Sequence, residues 1–442
     1  MRGMRIVIGV AASVIPLAVG AGGPGPVRPI TGAEKRQAVA ELAGMLRARY
    51  AIAETADAAA KAVEEKLAGG AYDPIGDAEQ FAEAVKADLV AATHDKHLHF
   101  GVVPPPEPTP ATSSQPSPDA RAAAWRARAR GGNWGMPRAE VLAGNVGYLE
   151  VRRFQPPDMA GDTVVAAIGF LANADAVIVD LRNCHGGNAY LQPLFAGYFF
   201  SRPTSLYDMV FRGSNSTERF WTMAWLPGRR LAELPMYILT SAYTFSGGEA
   251  FAYRFKVLKR ATIVGETTGG GANAGGVLDV APCFRVFMPM GRPVDRDTQS
   301  NWEGTGVEPD IKTSAREALR VAHVEALRLL RARATIDAEK ARLDWALERA
   351  EAERAPATMP ADALDRLAGT YGDVTVFVEG GQLRLQREGE APTLLRPLAP
   401  TVFASDTDDP VRAEFRVAAE SRGGLLVFTD EEGVRREIAR KQ

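Results

Sequence analysis

The sequence predicts an α/β protein with a helical N-terminal segment, a central region of alternating strands and helices, and a small antiparallel β segment at the C-terminal end. Three observations carry this. Residues 33–98 are rich in Ala, Glu, Lys and Leu. From residue 146 short apolar runs alternate with helical stretches, as in a parallel-rich sheet covered by helices. After residue 360 apolar residues recur at alternate positions. At 442 residues the chain is long enough for more than one domain. Hydrophobic residues at 46% and charged residues at 24% describe packed cores rather than a disordered chain or a rod. A formal net charge of −2 does not point to nucleic acid as a partner. Two cysteines exclude a disulfide scaffold and a four-cysteine zinc site.

Taken in order, Arg2 and Arg5 precede an apolar run over residues 6–19, and small residues follow at 18–21. This predicts a secretory signal peptide over residues 1–20, cleaved after Gly20. The run is shorter than the roughly 20 apolar residues of a membrane span, and Gly9 and Pro16 weaken it further. The expectation is a secreted or periplasmic protein with no membrane span after cleavage, in a compartment that permits disulfides. Cys184 and Cys283 would then pair or remain buried thiols. Residues 22–31 read as a Gly/Pro tether. Over 32–100, Leu42, Met45 and Leu46 share one helix face and Phe81, Val85 and Leu89 another, with breaks at Gly69-Gly70 and Pro74. Residues 101–140 read as a Pro- and Arg-rich linker, in which Arg121, Arg126, Arg128 and Arg130 suit a solvated helix face.

The central region spans 141–335. Strands are expected at 146–151, 176–180, 236–239 and 261–264, and helices at 163–172 and 246–255. Cys283 falls in a further expected strand. A connecting helix covers 336–358. In the last segment, 359–442, Val374, Val376 and Val378 lead through Gly380-Gly381 into 382–385, which is hairpin grammar, and 425–428 is another strand. There is no internal repeat.

Four segments can carry chemistry. In the first, an apolar strand runs through a turn into Ser246-Gly247-Gly248 at a helix start. A hydroxyl there sits among free backbone N–H groups at the positive helix end, which suits a nucleophile and equally suits an N-cap. In the second, Gly186-Gly187 follows the strand at 176–180 and either offers an oxyanion donor or simply makes a tight turn. Asp180 and Arg182 read as core anchors, Glu249 as support for the serine helix, and His185 as a possible substrate contact. The third segment, 94–100, holds three of the five histidines. On a strand His97 and His99 share a face; on a helix His94 and His97 do. Neither arrangement completes a metal shell, so no metal and no cofactor are assigned. A histidine base is the chemical need of a serine nucleophile. In the fourth, Glu303 lies between Trp302 and Gly304 and suits either a carboxylate that orients a histidine or a surface loop.

The strings HDKHLHF, GNVGYLEV, VIVDLRNCHGGN, LTSAYTFSGGEAFAY, ATIVGETTGGGAN and NWEGTGVEPD, spread over most of residues 35–330, resemble the tail-specific, C-terminal-processing serine peptidases. They look most like the branch related to tricorn protease and interphotoreceptor retinoid-binding protein. The resemblance implies a crotonase-like (ββα) core behind an N-terminal helical cap. It implies Ser246 as nucleophile, His97 as general base, Glu303 as the acidic member of the relay, and the amides of Gly187 and Gly247 as the oxyanion hole, with Gly186 able to replace Gly187. Its partner would be a peptide or protein substrate. The block Gly265-Glu266-Thr267-Thr268 lacks the lysine of relatives that use a Ser-Lys dyad, and 101–145 is too short for the PDZ domain many relatives insert. Lys96 stands where tricorn-like sites can have a serine, and its charge would lower the His97 pKa if it faced the site. The alternatives are a non-catalytic binder of apolar ligands on the same fold, and an esterase or amidase.

Overall fold

The computed structural model describes residues 28–103, 118–354, 359–407, 411–417, 424–430 and 434–441. The expected signal peptide, most of the tether and the Pro-rich stretch at 104–117 lie outside them. The described chain divides into two compact units, residues 1–140, 147–173 and 177–318, and residues 141–146, 174–176 and 319–442.

The larger unit begins with helices α1 (Gly32–Arg49), α2 (Ala53–Ala68) and α3 (Ala78–Thr93), then strand β1 (His99–Val102) and helix α4 (Pro118–Gly131). Thr31 and Glu34 bond reciprocally at the start of α1, and Asp77 accepts from the Gln80 amide at the start of α3. The region read as a tether is docked at its end: Ile30 is buried and its amide donates to Gly76 O at 3.1 Å. Within the expected linker, α4 is a formed helix with Arg126, Arg128 and Arg130 exposed on it.

Next come β2 (Arg138–Leu142), β3 (Val146–Glu150), α5 (Pro157–Phe170), β4 (Ala176–Asp180), α6 (Gln192–Gly197), β5 (Ser205–Phe211), β6 (Ser216–Trp221) and β7 (Met236–Thr240). The unit continues through α7 (Gly247–Val257), β8 (Thr262–Gly265), β9 (Ala274–Val280), β10 (Phe284–Val294) and β11 (Ile311–Lys312). Helix α5 starts at Pro157, ahead of the expected position, because a proline at the first helical position already has the required φ.

Two sheets result. One has strand order β11-β8-β7-β4-β3-β2, with β4, β7, β8 and β11 parallel, as the alternation predicted. The other, β1-β10-β5-β6 with β9 beside β10, is antiparallel. It escapes the sequence pattern because β10 carries Pro289, Gly291 and Pro293, with its register shifting between Pro289 and Gly291. The helical faces read from the sequence pack on this second sheet: Leu42, Leu46, Phe81, Val85 and Leu89 share one core with Phe100, Phe284 and Val286. Cys283 sits in the turn before β10 rather than in a strand, and both cysteines are buried free thiols, so the disulfide option is not realised.

The smaller unit contains helices α8 (Ala318–Arg333), α9 (Asp337–Arg354) and α10 (Ala361–Leu367) and an eight-stranded antiparallel meander, β12 (Gly369–Tyr371) through β19 (Arg435–Ala439), paired in sequence order. A bridge between Tyr371 and Arg440 brings the ends nearly into a closed barrel. Its interior is apolar, with Phe403 edge-on to Phe415 at 5.6 Å. Among the described residues no helix is long and apolar enough to cross a membrane.

Phe403 is fully buried, so Phe403→Ala should cost about 3–5 kcal/mol. Urea denaturation checks this; a loss below about 1 kcal/mol would mean that the barrel interior is not closed around the ring.

Candidate active site

Strands β4, β7 and β8 run parallel and end at Asp180, Thr240 and Gly265. The turns that follow them, 181–188, 241–246 and 266–273, meet at one edge of the sheet. In open parallel sheets this edge is where backbone amides are free to meet a ligand. Asp180 pairs with Arg182 at 2.6 Å and accepts from the Tyr148 hydroxyl at 2.7 Å, so both residues anchor the first turn. Thr244 Oγ1 donates to Leu181 O at 2.8 Å and the Phe245 amide to Cys184 O at 2.9 Å, which joins the first turn to the second.

Ser246 ends the second turn at φ +53°, ψ −119°, a conformation that costs energy for any residue with a Cβ. What holds it is Glu249, which is fully buried. Its carboxylate accepts from the Ser246 amide (2.8 Å), the Gly270 amide (2.6 Å), the Gly271 amide (2.9 Å) and Thr268 Oγ1 (2.5 Å). The Thr268 hydroxyl itself accepts from the Val307 amide, so its own proton is committed to Glu249. Burial pushes the Glu249 carboxyl pKa up and these donors pull it back. All four bonds need a lone pair on Glu249, which argues for the ionised form.

Glu303 continues the pattern. Its Oε2 accepts from the amides of Ala272 (2.6 Å) and Asn273 (3.1 Å), and Trp302 Nε1 donates to Gly271 O at 2.8 Å. Four successive amides, 270 to 273, thus point at two carboxylates. The Asn273 side chain donates to Asp95 Oδ2 at 3.0 Å, and the Tyr50 hydroxyl donates to the same oxygen at 3.0 Å. Asp95 Oδ1 accepts from the His97 amide at 2.9 Å.

His97 lies in a turn between α3 and β1, so neither a strand nor a helix governs its face. Its ring is 5% exposed, 4.5 Å from the Phe245 ring and stacked at 5.8 Å on Phe287. Nδ1 is 3.9 Å from Asp95 Oδ1, and neither ring nitrogen makes a hydrogen bond. Ser246 Oγ is therefore not hydrogen-bonded to it. Burial holds the His97 pKa well below that of a free imidazole, against the pull of Asp95. Lys96 plays no part in that shift: it is exposed and its Nζ donates to Gly269 O at 2.6 Å. Burial, with the charge of Asp95 added, raises the Glu303 carboxyl well above the ordinary range, and the amides of Ala272 and Asn273 oppose this. Glu303 Oε1 is buried without a partner.

A cleft of about 670 Å³, counting its open mouth, is lined by Ser246, His97, Gly187 and Gly247. Tyr207, Met209, Phe211 and Phe220 form an apolar wall from β5 and β6. The amides of Gly187 and Gly247 make no hydrogen bond among the described residues. Gly187 has φ +132°, and a Cβ there would stand 2.1 Å from Phe154 O, so only glycine fits. Gly186 supports from behind: its carbonyl accepts from the Phe154 amide, and Gly187 is the one that lines the cleft. Glu303 stands beside His97 rather than in the cleft wall; acidic oxygens of Asp95 and Glu303 and a His97 nitrogen lie within 4.8 Å of one another. His185 is exposed and is not among the residues that line the cleft. Sequence reasoning missed Asp95 and Asn273 as members of the site. Their strings, HDKHLHF and GGGAN, were in view, but nothing local signals that they meet.

Residues 145–313 match the family model described as Peptidase family S41, and residues 32–126 match the one described as the N-terminal domain of Peptidase S41 in eukaryotic IRBP. Among solved structures the chain is similar to the photosystem II D1 C-terminal processing protease at 18% identity, over 38% of this chain and 42% of that one, with a TM-score of 0.31. It is similar to a lipoprotein from Streptococcus agalactiae at 16% identity, over 70% of this chain and 100% of that one, TM-score 0.43. Tricorn protease matches at 14% identity, over 65% of this chain and 35% of that one, TM-score 0.41. The chain thus spans less than half the length of the D1 processing protease and of tricorn protease. The family relation rests on the two sequence models.

Glu249→Gln sets an NH2 group against amide donors, and should cost about 2 kcal/mol or more, read as a lowered melting temperature. Gly271→Ala places a Cβ 2.2 Å from Phe245 Cζ and 2.7 Å from His97 Cε1, and should cost about 1–3 kcal/mol. Gly276→Ala, whose Cβ meets only Met290 Cε at 3.6 Å, is the control and should stay within about 0.5 kcal/mol. Equal melting of the two alanine variants would remove the argument for tight packing at 271.

Proposed function

We propose that this chain, whose residues 145–313 match the model of peptidase family S41, is an exported serine peptidase using Ser246, His97 and Glu303 on a crotonase-like core. The single observation that carries the reading is His97: a buried imidazole with both nitrogens unpartnered, on the same cleft as a strained Ser246 and two free glycine amides. A structural histidine would have partners for its ring nitrogens.

In the proposed reaction Ser246 Oγ attacks the carbonyl carbon of a peptide bond while His97 takes its proton. With Nδ1 turned toward Asp95, Nε2 is the nitrogen left for the serine. The carbonyl π electrons move onto oxygen, where the Gly187 and Gly247 amides receive the charge, an effect worth about 3–4 kcal/mol per donor in other hydrolases. His97 returns the proton to the leaving amine, and water then resolves the acyl-enzyme by the same route. Glu303 offsets the charge of the transient imidazolium, as the acidic member of a triad does. The wall of Tyr207, Met209, Phe211 and Phe220 favours an apolar substrate side chain. That wall also suits the second reading, a binder of apolar ligands, and the experiment separates the two.

Fluorophosphonate should label wild-type protein on Ser246, and Ser246→Ala should abolish the adduct and lower kcat/KM on peptides by at least about 10⁴-fold. No adduct on folded protein would move the function to ligand binding, and an adduct with turnover of esters alone would make it an esterase.

The pH profile follows from the opposed shifts of the pair. On acidification the first proton enters Glu303, whose pKa is raised, before His97, whose pKa is lowered. Turnover needs both deprotonated, so the acid limb of kcat/KM should lie above the ordinary carboxylate range. Glu303→Gln should reduce kcat and shift that limb to lower pH, leaving His97 to govern it. A limb that stays in place would make Glu303 a loop anchor only.

A further inference from the structure

We propose that Asp95, His97 and Glu303 form a binding site for a divalent cation of the zinc class, and that an ion there holds the serine centre inactive. The three side chains each bring a ligand atom within 4.8 Å of the other two. Asp95 is 1% exposed and His97 5%. Both nitrogens of His97 and Oε1 of Glu303 are buried and lack a hydrogen-bond partner among the described residues. Buried polar atoms are almost always paired, so unpartnered acceptor atoms this close together suit a bound cation.

The donor set suits a first-row divalent ion of the zinc class. One imidazole nitrogen and two carboxylate oxygens make three protein ligands with a fourth position open. Calcium and magnesium prefer oxygen throughout, and the imidazole disfavours them. The charges balance, since a 2+ ion neutralises two carboxylates that otherwise repel one another in a buried space. The outer shell is already built. Asp95 is held by Tyr50, Asn273 and the His97 amide, and Glu303 Oε2 by two loop amides, which leaves Oε1 uncommitted among the described residues. Tetrahedral zinc, with bonds of about 2.0–2.1 Å, keeps its donor atoms roughly 3.4 Å apart. The site would have to draw in by about an ångström to bind the ion.

The histidine-rich string does not supply this set by itself. His94 is exposed at the end of α3 and His99 starts β1, outside the cluster. The third ligand comes from the loop after β10, about two hundred residues along the chain.

The consequence for the centre is chemical. A neutral imidazole that binds a metal through one nitrogen carries its proton on the other. Neither nitrogen can then accept the Ser246 proton. The block on hydrolysis rests on the role proposed for His97; the binding of the ion does not.

The test uses the full chain stripped of metal. Equilibrium dialysis against Zn²⁺ followed by elemental analysis should give one equivalent per chain, and Co²⁺ in its place should show the visible absorption of a tetrahedral site. Ser246→Ala should bind zinc as wild type does. Asp95→Asn and Glu303→Gln should each weaken binding by at least about 100-fold, more than the loss of an outer-shell partner. Labelling of wild-type Ser246 by fluorophosphonate should fall in proportion to zinc bound and return on chelation. Absence of stoichiometric zinc together with absence of the cobalt spectrum would overturn the site. So would zinc binding that both carboxylate variants retain. Zinc bound at the site with labelling unchanged would overturn the control of activity. If the metal-free protein takes no label yet binds zinc through these residues, the serine mechanism fails while the metal site stands.

Discussion

Four consecutive backbone amides, from Gly270 to Asn273, donate to two carboxylates, Glu249 and Glu303, and the site hangs on that arrangement. An ionised carboxylate can be withdrawn from water only if its lone pairs are occupied. The loop supplies the donors, and its glycines let the backbone come close enough. Glu249 reaches the Ser246 amide in the other direction, so the turn bearing the serine and the loop passing His97 are fastened to the same group. The strained φ of Ser246 persists because its amide has this partner.

The opposite side of the site is left unsatisfied. Glu249 has four donors, whereas Glu303 uses one oxygen and leaves the other without a partner, and His97 has none for either nitrogen. Local incompatibility of this kind, next to a carboxylate with four donors, is the usual mark of a place where a ligand or a reaction completes the network. The depressed pKa of His97 and the raised pKa of Glu303 share their largest cause, burial, acting on groups of opposite charge type. The opposed shifts mean that on acidification Glu303 takes up a proton before His97 does.

Much of this is legible in the sequence. The runs at 176–180 and 236–239 are apolar on both faces, which only a covered parallel strand explains, and the serine and glycine turns follow such strands directly. The antiparallel sheet was not legible. Its longest strand, β10, is broken by Pro289, Gly291 and Pro293, which reads as a loop until neighbours on both sides complete its pairing. Only part of the barrel was visible, because a single hairpin at 374–385 does not reveal that eight strands continue to near closure.

The sequence by itself determined the local chemistry: a serine at a helix start, glycines where only glycine fits, and a histidine and a glutamate of the right type. Those properties are local because they depend on backbone conformation and side-chain identity. Only the tertiary structure decided which residues meet. Asp95 and Asn273 are 178 positions apart, and Glu249 and Gly271 are 22 apart, yet each pair is hydrogen-bonded in the interior. It also decided which groups stay charged and which stay unpartnered, because burial and donor count are set by packing across both sheets, and no periodicity along the chain encodes them.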